Sequence, residues 1–213
     1  MNKGLLFLGG AGATGAAATG LALNKDKIFG SQKTYSISSL LNKEHKILIS
    51  ADESSHWDSK WKEYLASGVN EWNIPEWKGK TDPASIPQSF KDKCSNISNK
   101  EVTGVKDPIY EEVVKYCSRG KVMTDRFKED GVELMSKDGK DNEWNDGFDK
   151  YKVLADNLKI KGIDIKSTDD KGTSSNLDKI KNGCHDVSSK PVNDSDYSYE
   201  SIKEWCTIAK ASN

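Results

Sequence analysis

Apolar side chains in the first half of the chain recur at helical spacing. One set occupies positions i, i+4, i+7 and i+8, which form one face of a helix: Trp57, Trp61, Tyr64 and Leu65. Three motifs predict helix starts, namely the capping boxes Ser55-x-x-Asp58 and Ser85-x-x-Gln88 and the pair Asp107-Pro108. A short apolar element at 36–41 or 46–50 precedes them. Because alternation with a period of two residues is scarce, we predict an all-α fold.

The pattern returns after 86 to 90 residues, which indicates a tandem duplication. The motif Tyr110-x2-Val113-x2-Tyr116-Cys117 returns as Tyr199-x2-Ile202-x2-Trp205-Cys206. Likewise, Trp57-x3-Trp61-x2-Tyr64 returns as Trp144-x3-Phe148-x2-Tyr151. The elements kept in both copies are aromatic, aliphatic and cysteine positions, which are typical of a core.

The second copy is predicted to contain the same order of helices. One runs near 142–155, the next begins at Ser175-x-x-Asp178, and the last begins between Asp196 and Ser198. We therefore predict two small helical modules, repeat 1 at 36–120 and repeat 2 at 121–213.

The N-terminus carries a long uncharged stretch. No charged residue occurs from Gly4 to Asn24, and a helix of that length would reach about 30 Å, the thickness of a bilayer's hydrocarbon core. We predict that 1–24 is a transmembrane signal anchor that contacts the lipid bilayer through 4–24. A cleaved signal peptide and a buried soluble helix stay open as alternatives. Residues 25–35 would then form a polar linker.

The charge balance argues against a nucleic-acid partner. The chain has 32 Lys and Arg against 33 Asp and Glu, whereas a nucleic-acid binder is expected to show a basic excess or a clustered basic face. Hydrophobic residues make up only 35% of the chain. Small domains bury a small fraction of their surface, so each repeat would be marginal on apolar burial alone.

Four cysteines could supply the missing stabilisation. Cys94 and Cys117 are 23 residues apart, and Cys184 and Cys206 are 22 apart. Paired within each repeat, each bridge would contribute roughly 3 kcal/mol. One pair per repeat favours disulfides and an oxidising compartment, so we expect the body to be extracellular. Buried free thiols are the alternative, and the close cysteine spacing of a zinc site is missing.

The two copies differ most in an aromatic stretch. Repeat 1 contains Glu71-Trp72-Asn73-Ile74-Pro75-Glu76-Trp77, whereas repeat 2 has the polar stretch 159–176 in that place. An exposed pair of tryptophans, Trp72 and Trp77, is a candidate contact surface. The alternative is that both side chains fold back over the core of repeat 1.

The sequence offers little catalytic chemistry. His185 follows Cys184, but adjacent side chains on a helix point about 100° apart, which argues against a nucleophile–base pair. His56 is replaced by Glu143 in repeat 2. Phosphate-binding, dinucleotide-binding, metalloprotease, nucleophile-elbow and EF-hand motifs are missing. We therefore predict no catalytic residue, no metal and no cofactor, and a protein that is not an enzyme.

Several motifs together resemble those of a known family. They are the Gly-Ala-Gly-Ala-Thr-Gly run at 10–15, the element at 36–41, Trp57-x3-Trp61-x2-Tyr64, Phe90-Lys-Asp-Lys-Cys94 and Tyr110-x6-Cys117. This set resembles the uncharacterised paralogous membrane-anchored surface proteins of haemotropic mycoplasmas. The resemblance covers nearly the whole chain and is looser in repeat 2, where Phe148 replaces a tryptophan.

The resemblance implies a membrane-anchored, surface-displayed protein of a multigene family and assigns no functional residue. The bacteria of this family lack a cell wall and live attached to red cells. Host contact, with a host surface or serum protein as partner, or antigenic variation would suit such a bacterium. We expect a non-enzymatic repeat protein at the cell membrane. A self-associating structural membrane component and an enzyme of unrecognised type are the alternatives.

Overall fold

Short strands separate the helices of repeat 1. In this computed structural model, which describes residues 33–80 and 85–210, the elements of repeat 1 follow in this order: β1 (Tyr35–Ser36), α1 (Ile37–Lys43), β2 (Lys46–Leu48), α2 (Ser54–Ser67), α3 (Gln88–Ser98), β3 (Glu101–Val102), α4 (Pro108–Tyr116) and β4 (Ser118–Gly120). Strand β1 pairs antiparallel with β3, and β2 pairs antiparallel with β4. The two strand pairs bring the beginning of the repeat to its second half.

Repeat 2 has the same order of elements. They are α5 (Met123–Glu129), β5 (Val132–Leu134), α6 (Asp141–Tyr151), a 3-10 turn (Asp156–Leu158), α7 (Ser174–Ser188), α8 (Tyr199–Cys206) and β6 (Thr207–Ala209). Strand β5 pairs antiparallel with β6, as β2 does with β4. A single antiparallel bridge between Val122 and Pro191 takes the place of the β1–β3 pair.

The prediction of an all-α fold is wrong. The described residues form eight α-helices and six strands in three two-stranded sheets, which is a mixed α/β architecture. Each strand has only two or three residues, too few for a period of two to be visible in the sequence. Backbone hydrogen bonds extend two of the pairs: the N–H of Ile49 donates to Cys117 O at 3.0 Å, and that of Met135 donates to Cys206 O at 2.9 Å.

The predicted membrane segment falls outside what the structure describes. Residues 1–24, with the proposed bilayer contact at 4–24, lie there together with most of the 25–35 linker. In the described ranges, no helix combines the length and the apolar character needed to cross a membrane.

Each repeat has its own hydrophobic cluster, and the described residues from Thr34 onward belong to one compact unit. The cluster of repeat 1 is dominated by aromatic rings, which include Trp57, Trp61, Tyr64, Trp72, Phe90 and Tyr116. The cluster of repeat 2 has fewer rings, and its buried members include Trp144, Phe148, Tyr151, Ile163, Ile165 and Ile180. The division into domains at 120 and 121 stays a prediction.

Two of the predicted helix starts are confirmed. The side chain of Asp107 accepts a hydrogen bond from the N–H of Ile109 at the start of α4, and that of Ser198 accepts from Ser201 at the start of α8. The predicted N-cap at Ser55 is wrong by two residues, because α2 begins at Ser54 with Glu53 in the N-cap position. Glu53 cannot act as a simple cap, because its carboxylate binds the N–H of Ser50 and the side chain of Arg119.

Candidate functional site

The two predicted disulfides are confirmed. Cys94 is bonded to Cys117, with the Cα atoms 5.5 Å apart, and Cys184 is bonded to Cys206, with the Cα atoms 5.3 Å apart. All four cysteines of the chain are therefore paired. Each bridge ties a long helix, α3 or α7, to the end of the helix that follows it, so it lies at the same place in each repeat.

Trp72 does not form an exposed contact surface, because it is only 8% exposed and belongs to the core of repeat 1. Its backbone N–H donates to the Tyr64 hydroxyl at 2.8 Å, and its indole N–H donates to Glu112 at 2.9 Å. Trp77 is partly buried and packs against the same core. The structure thus shows this stretch folded back over the repeat, which was the alternative interpretation.

The polar stretch of repeat 2 also reaches the core, which its composition did not indicate. Ile160, Ile163 and Ile165 are 4%, 2% and 0% exposed. The N–H of Ile160 donates to the hydroxyl of Tyr151 at 2.7 Å, as that of Trp72 does to Tyr64 in repeat 1. Three isoleucines among lysines and aspartates therefore do the packing that two tryptophans do in repeat 1.

The three histidines lie apart from one another. His45 and His56 are exposed, and His185 is half-buried, with its Nε2 atom 3.1 Å from the carbonyl oxygen of Met135. In the ranges that the structure covers, no group of three or more His, Cys, Asp or Glu side chains is placed to hold a metal ion.

A groove of about 550 Å³ lies over the Cys94–Cys117 bond, and we call it the disulfide groove. Apolar groups supply one part of its lining: Leu48, Ile49, Ala51, Trp57 and the two cysteines. Helix α3 supplies a polar wall of Gln88, Lys91, Asp92, Ser95, Ser98 and Asn99. The groove thus combines an apolar floor with side chains that can donate and accept hydrogen bonds, which is typical of ligand sites.

Small side chains keep this groove open. Ala51 follows the serine whose carbonyl accepts from Trp57, and Ser95 follows Cys94. Their equivalents in repeat 2 are Lys137 and His185, which both reach across the corresponding space. Lys137 Nζ donates to Asn182 Oδ1 at 2.7 Å, and the ring of His185 meets the backbone of Met135.

Another type of cavity occurs once in each repeat. One of about 400 Å³ is lined by residues that include Leu41, Asn42 and Leu48, and one of about 260 Å³ is lined by Phe127, Lys128 and Leu134 at equivalent positions. A cavity that returns with the duplication is explained by the scaffold itself. The disulfide groove differs, because its open form depends on residues that the second copy has replaced.

Two charged residues of α3 line the disulfide groove. Asp92 accepts a hydrogen bond from the side-chain amide of Gln88 at 2.9 Å. Lys91 Nζ lies 5.6 Å from the centre of the Trp57 ring, a cation–π arrangement. Neither side chain has an ion-pair partner in the described part of the chain, and the Asp92 carboxylate is available to a ligand.

A buried ion network joins the two repeats. The Arg119 guanidinium binds Glu53 of repeat 1 and Asp125 of repeat 2, and Asp125 is 5% exposed. Burial would raise the pKa of the Asp125 carboxyl, but hydrogen bonds from Arg119 and from the N–H of Val122 outweigh that effect and lower it. The pKa of Glu53 is also lowered: burial would raise it, but hydrogen bonds from Arg119 and from the N–H of Ser50 outweigh that effect.

A second buried cation lies beside this network. Lys121 is 5% exposed, and its ammonium group binds Asn42 and Glu129. The position equivalent to Arg119 in repeat 2 is Ile208, so the arrangement belongs to the junction and is not part of the duplicated scaffold. The network is a structural joint between the repeats.

Comparisons with protein-family models, curated proteins and solved structures give no match for this chain.

The sequence contained one signal for the groove that pattern analysis missed. The copies differ at Ala51 and Lys137, and again at Ser95 and His185. At both positions repeat 1 has a small side chain and repeat 2 has a longer one, and the residue that precedes it is the same serine or cysteine in both repeats. Such an exchange signals a cavity only when the fold shows that both positions face the same space.

Proposed function

We propose that this chain is a non-enzymatic protein that works outside the cytoplasm, displayed at the cell surface, where repeat 1 contacts another macromolecule. The observation that carries the first part of the proposal is the pairing of all four cysteines into one disulfide per repeat. Such bonds form and persist in oxidising environments and are rare in the cytosol.

The contact role is supported by the disulfide groove. The duplicated features account for stability: a hydrophobic core, a cysteine pair and an antiparallel strand pair (β2–β4 or β5–β6) occur in each repeat. The open groove depends on Ala51 and Ser95, for which repeat 2 has the longer Lys137 and His185. A feature that is not required by the scaffold is the best candidate for a specific contact.

The partner that suits a displayed protein is a component of the host, either a cell surface or a serum protein. Protease treatment of intact cells tests the location, with mass-spectrometric mapping of cysteine pairing in the released peptides. We expect peptides from both repeats, with Cys94 bonded to Cys117 and Cys184 bonded to Cys206. Protection of both repeats, or alkylatable thiols at these positions, would contradict the proposal.

The host-contact part requires a separate measurement. We expect the purified oxidised protein to bind host-cell membranes or a serum protein, and a variant with Ala51→Lys to bind more weakly because its groove is filled. The variant with Lys137→Ala is the matched control, since it alters the other repeat. Equal binding by the wild type and the Ala51→Lys variant would show that the host contact does not involve the disulfide groove.

A further inference from the structure

Repeat 2 shows which chemical groups fill the space equivalent to the disulfide groove. The ammonium group of Lys137 donates to the side-chain oxygen of Asn182 at 2.7 Å. The Nε2 atom of His185 lies 3.1 Å from the carbonyl oxygen of Met135, within hydrogen-bond distance when that nitrogen carries the proton. One long cationic side chain and one ring thus occupy the space.

Repeat 1 keeps acceptors at the equivalent positions but lacks the donors. Asp92 stands in the place of Asn182, and Ile49 stands in the place of Met135. The donors are replaced by Ala51 and Ser95, whose side chains are too short to reach across. The acceptor in repeat 1 is a carboxylate, which binds an ammonium group more strongly than an amide oxygen does.

We propose that the disulfide groove binds a lysine side chain of a different protein, with its ammonium group on Asp92. The hydrocarbon part of that lysine would lie over Leu48, Trp57 and the Cys94–Cys117 bond, since lysine readily buries its stem while the charged end stays near water. The volume of about 550 Å³ leaves room for residues next to the lysine. This inference rests on the proposed contact function and names its chemistry.

The charge of Lys91 on the same wall does not prevent this binding. Lys181 holds the equivalent position in repeat 2, where it coexists with Lys137, and its ammonium group lies 3.2 Å from Asp141. In repeat 1, Lys91 lies over the Trp57 ring instead. The described lining of the disulfide groove therefore presents one carboxylate, Asp92, and one ammonium group that lies over an aromatic ring.

A peptide titration tests the proposal directly. The full chain, oxidised and labelled with nitrogen-15, is titrated with the acetylated and amidated peptide Gly-Lys-Gly and followed by its amide NMR spectrum. We expect chemical-shift changes at Ala51, Asp92 and Ser95. The matched peptide Gly-norleucine-Gly has a similar hydrocarbon chain without the ammonium group, and it should bind about tenfold more weakly. Asp92→Asn should weaken binding of the lysine peptide by about threefold to tenfold.

Two groove variants exploit the duplication. Ala51→Lys gives repeat 1 its own internal lysine and should abolish binding of the peptide. The triple variant Lys137→Ala, Asn182→Asp and His185→Ser opens the space in repeat 2 and should raise the number of bound peptides per chain from one to two. Asp92→Asn keeps the test valid if either of these variants fails to fold, because Asp92 is exposed and its side chain accepts a hydrogen bond from Gln88 that an amide oxygen can also accept.

Four outcomes would overturn the proposal. They are the absence of shifts with the lysine peptide in the millimolar range, equal binding of the norleucine peptide, unchanged binding by Ala51→Lys, and the same shifts on concentrating the chain alone. The last result would assign the groove to a second copy of this chain. Because the titration does not depend on where the protein resides, its failure and a failure of surface display are separate results.

Discussion

Tyr64 and Tyr116 are both fully buried tyrosines of repeat 1, but their hydroxyl groups differ. The Tyr64 hydroxyl accepts from the N–H of Trp72 and donates to Asn70, at 2.8 and 2.9 Å. The Tyr116 hydroxyl has no hydrogen-bond partner among the described residues, and the ammonium group of Lys115 lies 4.6 Å from the centre of its ring. Repeat 2 keeps the first tyrosine as Tyr151 and replaces the second by tryptophan.

We expect Tyr64→Phe to lower the free energy of unfolding by about 1–3 kcal/mol, because it leaves a buried N–H and an amide oxygen without a partner. Tyr116→Phe removes no hydrogen bond and should change that free energy by less than about 0.5 kcal/mol. Urea unfolding of both variants provides the comparison. Equal losses would mean that the hydroxyl of Tyr64 contributes nothing specific.

His45 is an exposed residue in the left-handed region, with φ of +53°, and its equivalent in repeat 2 is Gly131, with φ of +70°. The carbonyl of each accepts a backbone hydrogen bond, from Lys121 and Lys210 respectively. A side chain in this conformation is strained, whereas glycine adopts it freely. The backbone of repeat 1 is therefore strained at His45, whereas the equivalent position of repeat 2, Gly131, is free of that strain.

His45→Gly is expected to raise the stability of the chain by up to about 1 kcal/mol, since relief of strain exceeds the added entropy of the unfolded state. The reverse change, Gly131→His, should lower it by a similar amount. Thermal unfolding of the two variants measures both. A loss of stability in His45→Gly would show that the imidazole makes a contact that outweighs the strain.

Helix α7 contains Gly183 where it passes closest to the polar stretch of repeat 2. A Cβ atom at this position would lie 2.3 Å from Cγ1 of Ile163, whose side chain is buried. The equivalent residue of repeat 1 is Lys93, so repeat 1 does not need this close approach. The glycine permits Ile163 to pack directly against helix α7.

Gly183→Ala should lower the free energy of unfolding by about 1–3 kcal/mol, because the added methyl group overpacks a closed site. Lys93→Ala, at the equivalent place in α3, should change it by less than about 0.5 kcal/mol. Denaturant unfolding of the two variants checks this. The double variant with Ile163→Ala should recover part of the loss if the clash is the cause, and additive losses would exclude it.

The elements differ in how far their sequence predicts them. Helices α4 and α8 begin where predicted, because Asp107 and Ser198 cap them with their own side chains. The strands could not be predicted, since their pairing joins positions such as Ile47 and Arg119 that are distant in sequence. In the site, cysteine spacing sufficed for the disulfides, whereas the burial of Trp72 required the tertiary fold.

At the scale of the whole molecule, the ion network around Arg119 makes the stability of the junction between the repeats depend on pH. Because the pKa values of Glu53 and Asp125 are lowered on folding, their stabilisation is complete above the unfolded-state values of about 4. It is lost as the pH falls through the lower folded-state values, when the unfolded chain takes up protons first. The junction should therefore weaken in acid.

Asp125→Asn should lower the free energy of unfolding at pH 7 by about 3 kcal/mol, because Arg119 stays buried with one carboxylate instead of two. The variant should also lose less stability than the wild type between pH 5 and pH 3, values around the ordinary carboxyl pKa of about 4. Urea unfolding across that range measures both effects. Parallel pH curves for the two proteins would exclude Asp125 as a source of the acid sensitivity.

The place of each disulfide also sets how far a repeat can be stretched. The bonds enclose separations of 23 and 22 residues, and an extended chain spans at most about 3.3–3.6 Å per residue. Pulling on the two ends of the chain should thus release about 80 Å less contour length per repeat when the bonds are intact. Single-molecule force spectroscopy with and without reductant measures this difference, and equal lengths would contradict it. Each intact bond therefore limits how far its repeat lengthens after it has unfolded under load.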